Sequence, residues 1–322
     1  MEARERGHSE AGSARDSQAS ASTDVQRWAD PAMFKAEPVE EATPRVYLLS
    51  ATQDPLGAIA AACMMYEGKV CRNIDRDVTD GMRRHYWEQV QKTHLKAPLE
   101  FVDLHFMIEG VTRSFTHQMV RQRTAVYAQE SMRFAVKENL AAEAALPPSL
   151  MTTAPRAERD PSLFTDEIDA ARDTWDDTLE VIQNAYNTLV NMGVPAEDAR
   201  GLLPHATTTR LNYKTNLRSL LDHAGNRLCT QAQFEWRFVF NEIIAEIRDY
   251  GNGDDDYTEN WQWNHIADSN VFKPICYTLG HCPFTASFDR GCTIRERVQR
   301  GEFDKIDPRE WMMDHTAARR GG

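Results

Sequence analysis

Residues 200–227 read Arg200-Gly-Leu-Leu-Pro-His-Ala-Thr-Thr-Thr-Arg-Leu-Asn-Tyr-Lys-Thr-Asn-Leu-Arg-Ser-Leu-Leu-Asp-His-Ala-Gly-Asn-Arg227. Two patterns meet in this stretch. From 207 to 215 it is threonine-rich and strand-like, since β-branched side chains suit a pleated, half-buried surface. From Asn216 the spacing changes. Leu217, Leu220, Leu221, Ala224 and Leu228 recur at helical steps and would face inward. On the same helix Asn216, Ser219, His223 and Arg227 share a neighbouring face. That face borders the leucine stripe, where a helix edge can line a pocket.

Other elements are legible on either side. Arg45–Ser50 reads as a short strand, about 55–67 as an alanine-rich helix and 78–93 as a polar helix. Leu99 to Ile108 alternates as a strand does, with Gly110 as its end. Thr112 can cap a helix from Arg113 to about Gln122, and residues 138–164, with four prolines, read as a long loop. Ile168, Ala171, Trp175, Leu179, Ile182, Tyr186 and Leu189 form the stripe of a long amphipathic helix closed by Gly193 and Pro195. A further helix spans about 230–250, with an irregular tail from 262. Three segments are expected: a disordered 1–42, a catalytic domain over 43–250 and an extension over 251–322.

The chain has 322 residues, 41% of them apolar, and a net charge of -12. Such a surface repels nucleic-acid phosphates, so neither duplex nor tRNA is an expected partner. No apolar run is long enough to span a bilayer, and residues 1–25 lack the apolar core of a signal peptide, so a cytosolic protein without a membrane partner is expected. The six cysteines are then expected as free thiols. Cys276, Cys282 and Cys292 with His265 and His281 match no common zinc spacing; three packed thiols with no metal is the expectation, and a zinc site is the alternative.

A local cluster can still hold a small anion. Residues 117–134 read His117-Gln-Met-Val-Arg-Gln-Arg-Thr-Ala-Val-Tyr-Ala-Gln-Glu-Ser-Met-Arg-Phe134. Three arginines sit here among apolar neighbours rather than among Glu and Lys. A partly buried guanidinium needs an anion or a good acceptor set, and phosphate fits its fork with two parallel hydrogen bonds. Structural salt bridges are the other reading of the same pattern.

Arg121-Gln122-Arg123, seven residues and then Ser131 resembles the Arg-His-Arg signature of flavin-dependent thymidylate synthases. Ile108-Glu-Gly-Val-Thr-Arg-Ser-Phe-Thr-His-Gln118 and Met132-Arg133-Phe134 are similar too. So are Ala199-Arg200, Leu203-Pro204, Thr209, Asn216, Arg218-Ser219-Leu220 and Arg227, at matching spacing. The resemblance covers about 45–250. It implies an α/β fold with a central antiparallel sheet flanked by helices, in a homotetramer whose sites are shared between subunits. It implies conversion of dUMP to dTMP, with carbon from methylenetetrahydrofolate, hydride from reduced FAD and NADPH as reductant. By resemblance Gln118 and Arg121 bind dUMP from one subunit, Gln129, Ser131 and Arg133 from another, and Arg200 reaches it as well. Arg227 matches the arginine that stabilises charge developing on the pyrimidine. Arg121, Gln122, Arg123, Gln129, Asn216, Arg218 and Asp222 fall at flavin-contact positions.

The chain departs from the family pattern at several places. Gln122 replaces the central His of the signature and cannot become cationic. His94-Leu-Lys-Ala-Pro-Leu-Glu100-Phe101 matches the family's Gly-His-x-Ser-x-x-Glu-His region only loosely, with Phe101 for the second His. Asp222 stands where Asn is common. If it faces the pyrimidine, a carboxylate suits a cytosine amino group better than uracil O4, so dCMP with a methyl or hydroxymethyl product is an alternative. A catalytically silent nucleotide- or flavin-binding protein is another.

Overall fold

The computed structural model describes residues 44–133, 136–147, 150, 165–229, 232–253 and 260–283. The segment expected to be disordered, Cys292 and most of the 138–164 stretch lie outside these residues. Four strands, β1 (Arg45–Ala51), β2 (Asp103–Thr112), β3 (Ala125–Gln129) and β4 (Thr208–Asn216), form one antiparallel sheet in the order β1-β2-β4-β3. The larger helices are α1 (Pro55–Tyr66), α2 (Asp80–Lys92), α3 (Arg113–Met119), α4 (Thr165–Asn191), α5 (Leu217–Arg227), α6 (Phe234–Asn252), α7 (Trp261–Asp268) and α8 (Ile275–Leu279). This is the α/β architecture with a central antiparallel sheet that the resemblance implies. Among the described residues no helix is long and apolar enough to cross a membrane.

Alternation along β2 and β4 builds the core. Leu104, Phe106 and Ile108 share one face with Leu211 and Tyr213, and all are buried. Against them pack Ile59, Trp87, Leu220, Trp236 and Phe240 from the helices. Caps set the helix starts. Asp54 accepts from Gly57 N and Thr79 from Met82 N, which opens α1 and α2. Downstream, Thr112 accepts from Phe115 N and Asn216 from Ser219 N. In both of these cases a strand passes straight into a helix with no loop between, which fixes α3 and α5 rigidly against the sheet. The expected stripe of α4 is its buried side at Leu179 and Tyr186, and Gly193 ends that helix at positive φ.

Four expectations need correction. Leu99 and Phe101 lie not in a strand but in a 3₁₀ turn over Ala97–Phe101, opened by Pro98, and β2 begins only at Asp103. Gly110 does not end β2. It takes φ 68° and absorbs a one-residue shift in register between Ile108 and Val111, so pairing resumes to Thr112. Residues 125–129, read as part of an arginine cluster, form the edge strand β3, with Val126 outward. The tail expected to be irregular contains α7 and α8, whose Trp263, Ile266 and Tyr277 join the main core.

The junction at Thr112 is held from α6. Glu235 is buried, and its two oxygens accept from Thr112 N and Thr112 Oγ1, both at 2.6 Å. Removing them leaves a buried N–H without a partner, and an unsatisfied buried donor costs ~1–3 kcal/mol. Glu235→Ala is expected to lower unfolding stability by about 2–3 kcal/mol in denaturant titrations.

Candidate active site

A cleft of about 850 Å³ opens between the end of α3, the turn that follows it and α5. Gln118, Arg121, Gln122, Asn216, Arg218, Asp222 and Arg227 all line it. Ser219 and His223, which share a helix face with Asn216 and Arg227, line it too. The structure therefore gathers two segments about a hundred residues apart into one site.

Arg227 is the unusual group. It is half-buried, and among the described residues no carboxylate lies within ion-pairing distance. Its Nη1 donates to Gln118 Oε1 at 3.4 Å, its Nε donates to His223 Nε2 at 3.4 Å, and its Cζ lies 4.4 Å from the centre of the Trp236 ring. Burial pulls its pKa below the usual arginine value, although a guanidinium stays charged in any protein. The site thus holds a cation with neutral partners only.

His223 is neutral for a physical reason. Burial, and then the charge of Arg227, push its pKa down to about 3. With Nε2 accepting from Arg227, the ring proton falls on Nδ1, which is buried without a hydrogen-bond partner. The imidazole stands edge-on to Trp236 and Phe240.

Gln122 is committed to the protein. Its Nε2 donates to Ser219 O at 2.9 Å and its Oε1 accepts from Tyr213 OH at 3.1 Å, which ties the turn to α5 and the sheet. Asn216 spends its Oδ1 on the helix cap and keeps its amide N–H groups. At the mouth Arg218 is bonded to Glu100 through Nη1 and has Asp222 at 4.0 Å from Nε. Glu100, not among the candidates, lines the cleft, while Phe101 is exposed outside it. The loose Gly-His-x-Ser-x-x-Glu-His match was the signal for Glu100.

The remaining candidates lie apart from the cleft. Gln129 Nε2 donates to Thr116 Oγ1 at 2.9 Å, and Ser131 Oγ accepts from Arg133 N at 3.3 Å. Arg133 and Arg200 converge on Glu197, the first through its carboxylate at 2.8 Å and the second on its carbonyl at 3.0 Å. Arg123 is exposed on the turn before β3 and lines neither group. Within one chain the structure therefore separates the arginines into two sets. Among the described residues no three His, Cys, Asp or Glu groups come together.

The neutral histidine has a consequence for acid stability. The folded pKa of His223 lies near 3 against 6.5 for a free imidazole. Between those values the unfolded chain binds the extra proton, so stability falls as pH drops through that window, by up to about 1.4 kcal/mol per pH unit. His223→Phe is expected to flatten this part of the stability–pH curve, measured by denaturant unfolding at pH 7 and pH 5.

Residues 47–250 match the sequence model of the family described as "Thymidylate synthase complementing protein". The flavin-dependent thymidylate synthase of Pyrococcus furiosus is 30% identical over 257 residues, which cover 79% of this chain and 95% of that one. The protein of the same name from Geobacter sulfurreducens is 29% identical over 205 residues, covering 63% of this chain and 82% of that one. The solved structure of the UMP/dUMP methylase PolB from Streptomyces cacaoi, bound with 5-Br UMP, is similar in fold, with a TM-score of 0.53 at 18% identity over 73% of this chain and 98% of that chain. With more than half of its length matched by the family and a relative of 30% identity matched almost from end to end, the chain belongs to the flavin-dependent thymidylate synthases.

Proposed function

We propose that this protein reductively methylates dUMP to dTMP, with methylenetetrahydrofolate as carbon donor, FAD as cofactor and NADPH as reductant. The observation that carries the reading is Arg227: a half-buried guanidinium in a cleft, answered by no carboxylate among the described residues. A cation held by neutral partners keeps its full charge for an anion that develops beside it. That is the arrangement that lowers a barrier, because the charge is already in place when the reaction begins.

The chemistry of the donor set fits a flavin dinucleotide. Arg121 and Arg218 supply cations for phosphate, the free amide of Asn216 and the first turn of α5 supply donors, and about 850 Å³ is the size of a cofactor cleft. When bound, FAD supplies the hydride that reduces the transferred carbon to a methyl group. Gln122 takes part by position: it joins the turn carrying Arg121 to the helix carrying Arg227. Gln118, beside Arg227, orients the nucleotide base, and Arg227 stabilises negative charge on the ionised pyrimidine. Arg123, exposed on the turn before β3, is proposed to contact the flavin by the family resemblance alone.

In this reading Gln129, Ser131, Arg133 and Arg200 serve the cleft of a neighbouring subunit in a homotetramer, since within one chain they lie outside it. An exposed ion pair such as Arg133–Glu197 holds weakly, so a nucleotide phosphate can displace the carboxylate. The proposed setting is the cytoplasm.

The cytosine reading asks Asp222 to face the pyrimidine. Its side chain is 77% exposed at the mouth, beside Arg218, so uracil is the proposed base. Incubation with dUMP or dCMP, folate, FAD and NADPH, with products identified by mass, is expected to yield dTMP from dUMP and no product from dCMP. Asp222→Asn is expected to leave dUMP turnover within about threefold, the scale of an exposed ion pair. A carboxylate reading the base predicts a larger change and turnover of dCMP. Arg227→Ala is expected to lower kcat by about 10²–10³-fold while weakening dUMP binding far less. Equal losses in kcat and in binding affinity would refute the assigned role of Arg227.

A further inference from the structure

Trp236 sits in the first turn of α6, fully buried, with no contact to solvent. Phe115 packs against its ring at 4.1 Å between centroids, and His223 meets it edge-on at 4.9 Å. A core tryptophan needs no more explanation than packing. This one, however, directs both of its distinctive groups at residues of the cleft. Its face lies 4.4 Å from Arg227 Cζ, and its Nε1–H donates to Gln118 Oε1 at 3.1 Å.

The second contact decides an orientation. An indole N–H donates and cannot accept, so it selects the oxygen end of the Gln118 amide. The nitrogen end then faces Gln233 Oε1 at 2.8 Å, and Gln233 is in turn held by Glu235. Gln118 Oε1 also accepts from Arg227 Nη1. One N–H of Gln118 is left for a ligand, and its direction is set by groups that cannot rearrange without unpacking α6.

The first contact orients a cation without neutralising it. A carboxylate would hold the guanidinium more firmly, but it would cancel the charge the site needs. An aromatic face attracts the cation through its quadrupole and carries no net charge. We propose that Trp236 is the positioning residue of the nucleotide site: one buried indole carries Arg227 on its face and fixes the Gln118 amide with its N–H. The proposal rests on the reading of Arg227 and Gln118 as nucleotide contacts.

The test uses the full chain loaded with FAD, with dUMP binding measured by calorimetry and turnover measured alongside. Trp236→Phe keeps a ring and removes the N–H, so the Gln118 amide is free to turn. It is expected to weaken dUMP binding about fivefold to tenfold, the worth of one hydrogen bond. In a Gln118→Ala background the same change is expected to cost less than about threefold, because no amide remains to be oriented. Trp236→Leu, which also removes the face, is expected to lower kcat further. Equal losses from Trp236→Phe in the two backgrounds, as a purely structural role predicts, overturn the proposal, and so does no loss in either. A parent protein that does not bind dUMP fails at an earlier step, and the nucleotide reading falls with it. Should Trp236→Phe not fold, the unsubstituted Trp236 provides the readout. Its indole N–H resonance is expected to be displaced by Gln118→Ala and by saturating dUMP, and a resonance moved by neither overturns the proposal.

Discussion

A positive charge half removed from water, with no negative charge beside it among the described residues, is the constraint around which this molecule is arranged. Such a group is costly to keep unless neutral acceptors and polarisable surface surround it. The structure supplies two such acceptors, an amide oxygen and an imidazole nitrogen, and one such surface, an indole face. Each of the three must itself be held, and the packing of α3, α5 and α6 on the sheet does this. His223 can accept only because it is buried deeply enough to stay neutral.

The rigidity comes from how the strands end. At Thr112 and Asn216 the chain leaves a strand and enters a helix at once, each time with the side chain of the junction residue as the cap. Gln118 and Arg227 are therefore fixed relative to the sheet by short, fully hydrogen-bonded paths. Gln122 links the two from the other side, and its replacement for a histidine makes sense in that role. An amide can donate to Ser219 O and accept from Tyr213 at the same time, which a neutral imidazole can also do but an imidazolium cannot.

Much of this could be read along the chain. The switch of period at Asn216 located β4 and α5, and the shared face of Asn216, Ser219, His223 and Arg227 located the cleft. Local pattern failed where distant pairing decides. β3 is an edge strand with Val126 outward, so its alternation carries little signal, and its arginine-rich surroundings suggested a different unit. Gly110 looked like a strand end because glycine disfavours strands, whereas the ladder uses its positive φ to absorb an extra residue. Trp236 falls at helical spacing with Phe240, Ile243 and Ile247, as a core stripe does. Nothing in its spacing shows that its face and N–H meet two residues more than a hundred positions apart in sequence.

Arg133 and Arg227 also differ in the kind of partner that holds them. Arg133 has Glu197, an exposed carboxylate at 2.8 Å, while the partners of Arg227 among the described residues are neutral. An exposed ion pair is worth little and exchanges readily, so an arginine kept that way can release its carboxylate when a phosphate arrives and recover it when the product leaves. A carboxylate beside Arg227 would do the opposite of what the reaction requires, because it would answer the cation before any charge had developed. Under the proposed reaction, the contrast between exchangeable pairing at the surface and neutral support in the cleft separates an arginine that binds from one that stabilises a transition state. Sequence motifs count both as arginines. Only the residues packed beneath them tell the two apart.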